Sequence, residues 1–135
     1  MLVSGRKLPL SRATVRRIVA AVLRAERQEA LISVTFLGRD AMRRLNAEHH
    51  GHDYPTDVLT FALKEQMGRP LGDVYICPWV ASREARARGI PLRQEIIRLV
   101  VHGTLHALGR KHPEGPERTR SAMWRRQERY VRTLA

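Results

Sequence analysis

Hydrophobic residues near the start of the chain recur at the spacing of one face of a helix, with arginines at the positions between them. Ser11 precedes this segment and has a side chain that can accept a hydrogen bond from the free amides of a first helical turn. The pattern predicts an amphipathic helix from Ser11 to about Arg27. Its apolar positions are Val15, Ile18, Val19 and Val22.

Three later segments have the apolar, β-branched composition of strands: residues 31–37, 57–63 and 72–77. The link between the second and the third contains Met67-Gly68-Arg69-Pro70, in which glycine and proline are typical of turns. The two strands that this link joins are therefore predicted to form an antiparallel hairpin. Residues 1–4 have the composition of a further short strand.

Helical spacing returns in four further segments, and the polar segment 49–55 after the first of them is predicted to be a loop. In the segment from Arg93 to Leu108, apolar residues surround most of the helix, so this helix belongs in the middle of the fold. The four segments are residues 40–47, 78–88, 93–108 and 117–134.

This order of elements is typical of an α+β, or mixed α/β, fold in which helices pack against a small mixed sheet that includes a hairpin. A chain of 135 residues has the usual size of one domain. We therefore expect a single domain over residues 1–135, with the helix 93–108 at its centre.

The formal charge of +12 and the pI of about 11.4 favour a polyanionic partner, with RNA or DNA first. Of the 25 basic residues only Lys7, Lys64 and Lys111 are lysines, and arginine suits bidentate contacts with phosphate. Aromatic residues make up only 5% of the chain, which argues against a broad surface for stacking bases. Contacts with the nucleic-acid backbone are expected.

Cys77 is the only cysteine, so the chain can form neither an intramolecular disulfide nor a multi-cysteine zinc site. No apolar run approaches the roughly 18 residues of a membrane span. These features predict a soluble, cytoplasmic protein without a membrane partner. The basic, acid-free and amphipathic segment 6–24 also resembles an organelle transit peptide, which leaves an organellar location as the alternative.

Three histidines near the end of the predicted central helix form the pattern His-x3-His-x2-Gly-x2-His. His102 and His106 are four positions apart and project from one helical face. Gly109 can adopt positive φ and reverse the chain, which brings His112 back towards the other two. We expect the three imidazoles to bind one divalent metal, most simply zinc, although nickel, copper or cobalt would also suit such a site.

The same histidine spacing occurs in extended zincin motifs of metalloproteases. There a glutamate after the first histidine is the general base, whereas Gly103 stands at that position here. Three neutral ligands leave the metal its double charge and an open coordination position, a combination that lowers the pKa of a bound water to about 7. The pattern therefore indicates a metal-dependent hydrolase that lacks the protease base.

In this motif and in three upstream segments, the chain resembles the YbeY endoribonucleases, also called rRNA maturation factors. The family pattern His-Gly-x-Leu-His-x-x-Gly-x-Asp-His is followed from His102 to His112, except at Lys111. The resemblance extends over most of the chain. The upstream segments, in the family's order and approximate spacing, are Leu45-Asn46, residues 55–61 and residues 71–74.

The resemblance implies a zinc-dependent endoribonuclease that cuts single-stranded RNA, with His102, His106 and His112 as metal ligands and catalytic residues. It also implies a role in ribosomal RNA maturation and ribosome quality control. The expected partners are ribosomal RNA and, with it, ribosomal subunits or ribosome-associated proteins.

Two positions depart from the family pattern. His50 stands where the family generally has an arginine that is thought important for RNA processing, and Lys111 stands where it usually has aspartate. We keep His50 as a catalytic candidate that holds phosphate with one well-aimed donor rather than two. Lys111 is a candidate for binding the scissile phosphate, with an exposed side chain that faces away as the alternative.

Other polar residues near these motifs have simpler structural interpretations. His49 and His52 are expected to be solvated loop residues rather than ligands of a second metal. Asp57 is expected to cap or orient the loop before a strand, and Asp73 to be structural. We expect Glu95 to be a core-edge carboxylate or to support a metal ligand, and Cys77 to be a small buried hydrophobic residue.

Two other functions fit the same sequence. One is another metal-dependent hydrolase, such as a peptidase, that takes its general base from outside the helix. The other is a non-catalytic ribosome-assembly or RNA-binding factor in which zinc stabilises the fold.

Overall fold

The computed structural model describes the backbone of residues 1–135 and every side chain except that of Gln66. Four strands form one sheet in the order β1-β2-β4-β3. β1 is parallel to β2, β2 is parallel to β4, and β3 is antiparallel to β4. The strands are β1 (Leu2–Ser4), β2 (Leu31–Phe36), β3 (Val58–Gln66) and β4 (Arg69–Ile76).

Five α-helices and one 3-10 helix accompany the sheet, so the expected mixed α/β class is confirmed. Among the helices that the structure describes, none has the length and apolar character of a membrane span. The helices are α1 (Arg12–Glu26), α2 (Arg39–His50), α3 (Pro78–Arg88), α4 (Leu92–Ala107) and α5 (Ala122–Leu134), and the 3-10 helix is Gly115–Arg120.

The hairpin of β3 and β4 is confirmed, but its strands are longer than the composition predicts. Only Met67 and Gly68 form the turn, and both have positive φ, 54° and 76°. Two residues with positive φ make the tight turn whose twist matches that of paired strands. Arg69 and Pro70 therefore belong to β4 rather than to the link.

α1 begins and ends close to the predicted positions. The Ser11 side chain accepts a hydrogen bond from the Thr14 amide at 3.1 Å, and Arg27 adopts a left-handed conformation immediately after the helix. The four apolar residues predicted for its inner face are buried. They join residues of the sheet and of α4 in one hydrophobic core.

α2 is longer than predicted and includes His49 and His50, which the sequence places in a loop. It ends only at Gly51, whose φ of 71° suits a residue without Cβ. Asn46 is buried within the helix, and its side-chain amide donates to the Tyr54 carbonyl at 2.8 Å. This bond holds the following loop against the helix.

The closing segment is also divided differently from the prediction. Ser121 is extended, and its hydroxyl accepts from the Trp124 amide at 3.1 Å, which starts α5 as a separate helix. Met123 and Val131 form part of its buried face, as predicted, while Trp124 is only half-buried.

α4 packs closely against β4 because two glycines remove side chains from the contact. A Cβ at Gly103 would lie 2.4 Å from Val74 Cγ1, and one at Gly72 would lie 2.6 Å from the Cβ of Ala107. The helix thus rests nearly directly on the strand. The helices α1, α3 and α5 also pack against α4, so only part of its surface remains for functional side chains.

Candidate metal centre

His102 and His106 occupy successive turns in the C-terminal half of α4. Gly103 and Ala107, one position after each histidine, face the sheet. The spacing of four residues therefore places both imidazoles on a face that the helix does not use for packing on β4.

His112 reaches the same place through a turn at the end of α4. Gly109 has φ of 86°, and its amide donates to the His106 carbonyl at 2.9 Å. The Arg110 amide donates to the Leu105 carbonyl at 3.0 Å, which completes the reversal. The turn predicted from Gly109 thus brings His112 back to the helix.

The three imidazoles converge. One nitrogen of each lies within 4.8 Å of the nitrogens of the others, and all three residues are half-buried. Ligand atoms around tetrahedral zinc are about 3.4 Å apart for bonds of about 2.1 Å. Small rotations of the side chains would bring the three nitrogens to that spacing. The donor set and its spacing fit a transition metal such as zinc, with room for a further ligand.

Neighbouring residues determine which nitrogen of His102 faces the metal position. The Glu128 carboxylate accepts from Gln127 Nε2 at 3.0 Å, so the amide oxygen of Gln127 must face His102. That oxygen lies 2.6 Å from His102 Nδ1, which therefore carries the proton and donates it. Nε2 of His102 is left with its lone pair for a metal.

His112 has the same arrangement with a different partner. Its Nδ1 lies 3.0 Å from the Pro113 carbonyl, which only accepts hydrogen bonds. Nδ1 therefore carries the proton here too, and Nε2 is the nitrogen left free to bind a metal.

The site favours neutral imidazoles. Burial lowers the pKa of His102 to about 4, although the hydrogen bond with Gln127 opposes this shift. Burial and the nearby charges of His102 and His112 lower the pKa of His106 to about 4. Both imidazoles are thus neutral at neutral pH, with one ring nitrogen left unprotonated, the state in which histidine binds metals.

A buried ion-pair network holds the amide nitrogen of Gln127, whose oxygen faces His102. Arg98 makes two parallel hydrogen bonds of 2.8 Å to the Glu128 carboxylate. Burial would raise the pKa of Glu128, but the hydrogen bonds from Arg98 and Gln127 and the charge of Arg98 hold it below its usual value. Glu128 therefore stays ionised and fixes the orientation of the Gln127 amide.

Glu95 belongs to this network and does not contact a metal ligand directly. It is 3% exposed and lies 3.7 Å from Arg98 and 3.4 Å from Arg88. Burial raises its pKa despite the two arginines. The structure thus agrees with the core-edge interpretation of Glu95, and its link to His102 runs through three other side chains.

Sequence reasoning did not identify Gln127, Glu128 or Arg98. A signal for Gln127 was present, because it lies four residues after Met123 and four before Val131 on the buried stripe of α5. A polar residue on an apolar stripe requires a buried hydrogen-bond partner. For Gln127 that partner is His102, one of the three clustered histidines.

A small cavity of about 50 Å³ adjoins His102 and is lined in part by Asp57, Arg118 and Trp124. The Arg118 guanidinium carbon lies 5.5 Å from the centre of the Trp124 ring, a cation–π arrangement. Arg118 was not singled out in the sequence, yet it is a cation near the metal ligands. Its charge contributes to the lowered pKa of His102.

The two departures from the family pattern are both exposed. His50 lies in the last turn of α2, with its ring 6.4 Å from the ring of Phe61 in β3. Lys111 lies in the segment between the Gly109 turn and His112. Among the described residues, the cluster of possible metal ligands consists of the three predicted histidines and includes none from residues 49–52.

The remaining candidates have the structural contacts that the sequence suggests. Asp57 accepts a hydrogen bond from the Val58 amide at 2.8 Å, where β3 begins. Asp73 accepts from the Ser33 hydroxyl at 2.6 Å and so links β4 to β2. Cys77 is fully buried, which raises the pKa of its thiol.

The comparisons with known proteins agree with this site. The family model described as endoribonuclease YbeY matches residues 6–135. An endoribonuclease YbeY from Thermotoga petrophila is 31% identical over 117 residues, which are 87% of this chain and 76% of the relative. One from Paraburkholderia phymatum is 41% identical over 109 residues, or 80% of this chain and 69% of the relative.

A solved structure extends the agreement to the fold. The solution structure of TM1509 from Thermotoga maritima superposes with a TM-score of 0.71 at 27% identity, and the match covers 98% of this chain and 87% of that one. The resemblance inferred from the motifs is confirmed. On the evidence of the family match, the relatives and the fold, this chain belongs to the endoribonuclease YbeY family.

Proposed function

We propose that this protein is a zinc-dependent endoribonuclease that cuts single-stranded RNA in ribosomal RNA maturation and ribosome quality control. The observation that carries the proposal is the convergence of His102, His106 and His112 in a chain of the YbeY family. Zinc is a metal that three neutral imidazoles suit well. The net charge of +12 supports a polyanionic substrate.

We assign separate roles to the residues of the site. The three imidazoles hold the metal, and Gln127 keeps His102 in the tautomer that binds it. When bound there, zinc supplies Lewis-acid chemistry at a phosphodiester. Arg118 lies at the edge of the same site, where its guanidinium can hold a phosphate oxygen of the RNA strand.

His50 and Lys111 are proposed as further contacts with the RNA backbone. Both side chains are exposed, and each can donate a hydrogen bond to phosphate. Their contribution is tested by the Michaelis constant for RNA, which should rise in His50→Ala and in Lys111→Ala. An unchanged Michaelis constant in one of these variants would show that the substituted residue does not contact the RNA.

The central test combines metal analysis with RNA cleavage. Protein purified without added metal should contain about one zinc per chain, because the three histidines provide one site. It should cut a labelled single-stranded RNA, lose that activity to a chelator and regain it with zinc. His106→Ala should lose both zinc and cleavage.

His52→Ala is the matched control. This histidine is exposed and stacks on Tyr54, outside the histidine cluster, so the variant should keep both zinc and activity. Cleavage by His106→Ala at the wild-type rate would show that the activity belongs to another site or to a contaminant. A peptide substrate assayed in parallel should remain intact, since Gly103 stands in place of a protease glutamate.

The residues at positions 50 and 111 favour one second candidate, a ribosome-assembly or RNA-binding factor in which zinc mainly stabilises the fold. Under this function the wild type would bind RNA without metal-dependent cleavage. His106→Ala would then lower the melting temperature and the RNA affinity together.

A further inference from the structure

A second concave site lies at the other end of α4 from the metal centre. It is a cavity of about 1,090 Å³ bounded by the segments that follow β1 and β2 and by the beginnings of α2, α3 and α4. Leu92 lines it, whereas His102 is ten residues further along the helix. At 1.5 Å per residue, the two sites are about 15 Å apart along the helix axis.

The walls of this cavity, which we call the distal groove, are strongly basic. Four exposed cations, Arg6, Lys7, Arg39 and Arg44, line it together with one acid, Asp40. Arg39 lies 3.6 Å from Asp40. Among the described side chains, no carboxylate forms a salt bridge with the other three cations, which leaves their charges for an anionic ligand.

The distal groove also presents an aromatic surface. Trp79 is 41% exposed although it is a large apolar side chain, and it lines the groove. The guanidinium carbons of Arg39 and Arg83 lie 5.0 Å and 4.9 Å from the centre of its ring. An exposed indole flanked by arginines is the combination on which nucleic-acid bases stack while the adjacent phosphates meet cations.

The position of the distal groove in the fold favours a ligand as well. The parallel strands β1, β2 and β4 all end towards it, since residues one or two positions after each of them line it. Crevices outside the carboxyl ends of parallel strands are common binding sites in α/β folds. At the start of α2, Gly38 provides no side chain to cap the helix, and an added Cβ there would meet open space.

We propose that the distal groove binds a segment of the same single-stranded RNA that the metal centre cuts. The inference rests on the proposed function for the identity of the polymer. An acidic protein segment would also satisfy the arginines, but a nucleic acid combines the phosphates that they bind with bases that stack on the exposed ring of Trp79. At a rise of about 3.4 Å per stacked nucleotide, about five nucleotides cover the separation of about 15 Å along the axis of α4.

The test measures RNA binding independently of cleavage. The double variant Arg6→Ala/Arg44→Ala removes two exposed cations of the groove, and Arg129→Ala/Arg132→Ala removes two exposed cations of α5 as the control of equal charge. Fluorescence anisotropy with an RNA long enough to reach both sites should give a dissociation constant about tenfold higher for the groove variant. The slope of log affinity against log salt should fall by about 1.4 in magnitude for two lost contacts with single-stranded phosphate.

A second measurement follows Trp79 directly. In a Trp124→Phe background, Trp79 is the only tryptophan, and RNA should quench its fluorescence at the concentrations that saturate anisotropy. Quenching by a polyglutamate peptide and not by RNA would make the groove a protein site and would overturn the proposal.

The outcomes separate this proposal from the proposed function. If the groove variant loses RNA binding and neither the wild type nor any variant cuts RNA, the distal groove is an RNA-binding site and the proposed nuclease function is wrong. If both double variants bind RNA equally well, the distal groove is not an RNA site, whatever the cleavage assay shows. Circular dichroism of the two double variants confirms that the compared proteins are folded.

Discussion

At the scale of single residues, the orientation of His102 depends on a side chain that does not itself reach the metal position. Gln127 is 1% exposed, and its amide oxygen holds the proton-bearing Nδ1 of the imidazole. A hydrogen bond of this kind fixes both the tautomer and the ring plane of a metal-binding histidine. The site is therefore built from α5 as well as from α4.

Gln127→Ala should weaken metal binding without abolishing it. Loss of such a supporting hydrogen bond typically costs 10- to 100-fold in metal affinity, about 1–3 kcal/mol. The affinity is measured by zinc titration against a competing chelator. Gln28→Ala, which changes an exposed glutamine, is the control.

Gln127→Glu distinguishes orientation of His102 from simple packing. A carboxylate accepts the same hydrogen bond from Nδ1, so the variant should recover much of the lost zinc affinity even though it places a second acid beside Glu128. If Ala and Glu at this position lower the affinity equally, Gln127 does not act through His102.

At the scale of elements, the distance between α4 and β4 is set by small residues. Gly103 allows the helix to lie against Val74, and Gly72 in β4 allows Ala107 of the helix to approach the strand. This close contact gives Gly103 a structural reason for standing where a protease has glutamate. A side chain there would meet the strand rather than the metal position.

Gly103→Ala should destabilise the fold. Alanine in place of glycine favours a helix by about 1 kcal/mol, whereas overpacking at a buried contact costs about 1–3 kcal/mol. With Val74 Cγ1 only 2.4 Å from the new Cβ, we expect a net loss of about 1–2 kcal/mol in urea unfolding.

A double variant checks the origin of that loss. Val74→Ala opens space for the new methyl group of Gly103→Ala. The double variant should therefore lose about 1 kcal/mol less stability than the sum of the losses of the two single variants. Gly38→Ala, where an added Cβ meets open space, should cost only about 0.5 kcal/mol, because glycine suits the N-cap of α2 better than alanine. Strict additivity of the first pair would contradict the proposed steric contact.

A second contact between elements holds the turn that precedes His112. Glu26, at the end of α1, accepts hydrogen bonds from Arg110, Arg126 and Tyr130. Burial alone would raise its pKa, but these hydrogen bonds and the two arginine charges hold the pKa below the usual 4.5. The ionised carboxylate thus ties α1 and α5 to the segment between His106 and His112.

Glu26→Gln should lower stability at neutral pH by about 1–3 kcal/mol, less than for a fully buried ion pair because the two arginines are 31% and 42% exposed. Because folding lowers the pKa of Glu26, its contribution is present above pH 4.5 and is lost as the pH falls through the folded pKa. The difference from wild type in urea unfolding should therefore shrink below about pH 4.5. Glu29→Gln, at an exposed ion pair, should show a much smaller effect at every pH.

At the scale of the whole molecule, a bound metal would join α4 to the segment that leads into the 3-10 helix. His102 and His106 belong to the rigid helix, but His112 lies in irregular chain beyond the Gly109 turn. A ligand that binds only the folded arrangement stabilises it by mass action. Metal binding and global stability should therefore be linked.

Removal of the metal should lower the melting temperature by an amount on the order of 10 °C, since saturation at a thousand times the dissociation constant contributes about 4 kcal/mol. The measurement is differential scanning calorimetry before and after chelation, with recovery on adding one equivalent of zinc. His106→Ala should show no zinc-dependent shift. A shift of the same size in that variant would place the bound zinc elsewhere.

Local pattern was sufficient for much of the fold and for the metal ligands. The period of Val15 to Val22 and the cap at Ser11 determine α1, because both signals act within a few residues. The positions of His102, His106 and Gly109 bring three imidazoles together for the same reason, since a helix and its terminal turn are local geometry. The histidine cluster is thus encoded in eleven consecutive residues, from His102 to His112.

Only the tertiary structure decided what surrounds those ligands. The contact of Gln127 with His102 joins residues 25 apart, the carboxylate of Glu26 meets an arginine 84 residues away, and the distal groove gathers segments from Gly5 to Leu92. Such pairings depend on how helices pack on the sheet, which is set by the summed fit of many side chains and leaves no periodic signal in the sequence. The sequence by itself determined that three histidines cluster at the end of α4, whereas the packing decided how they are held and where the basic surface lies.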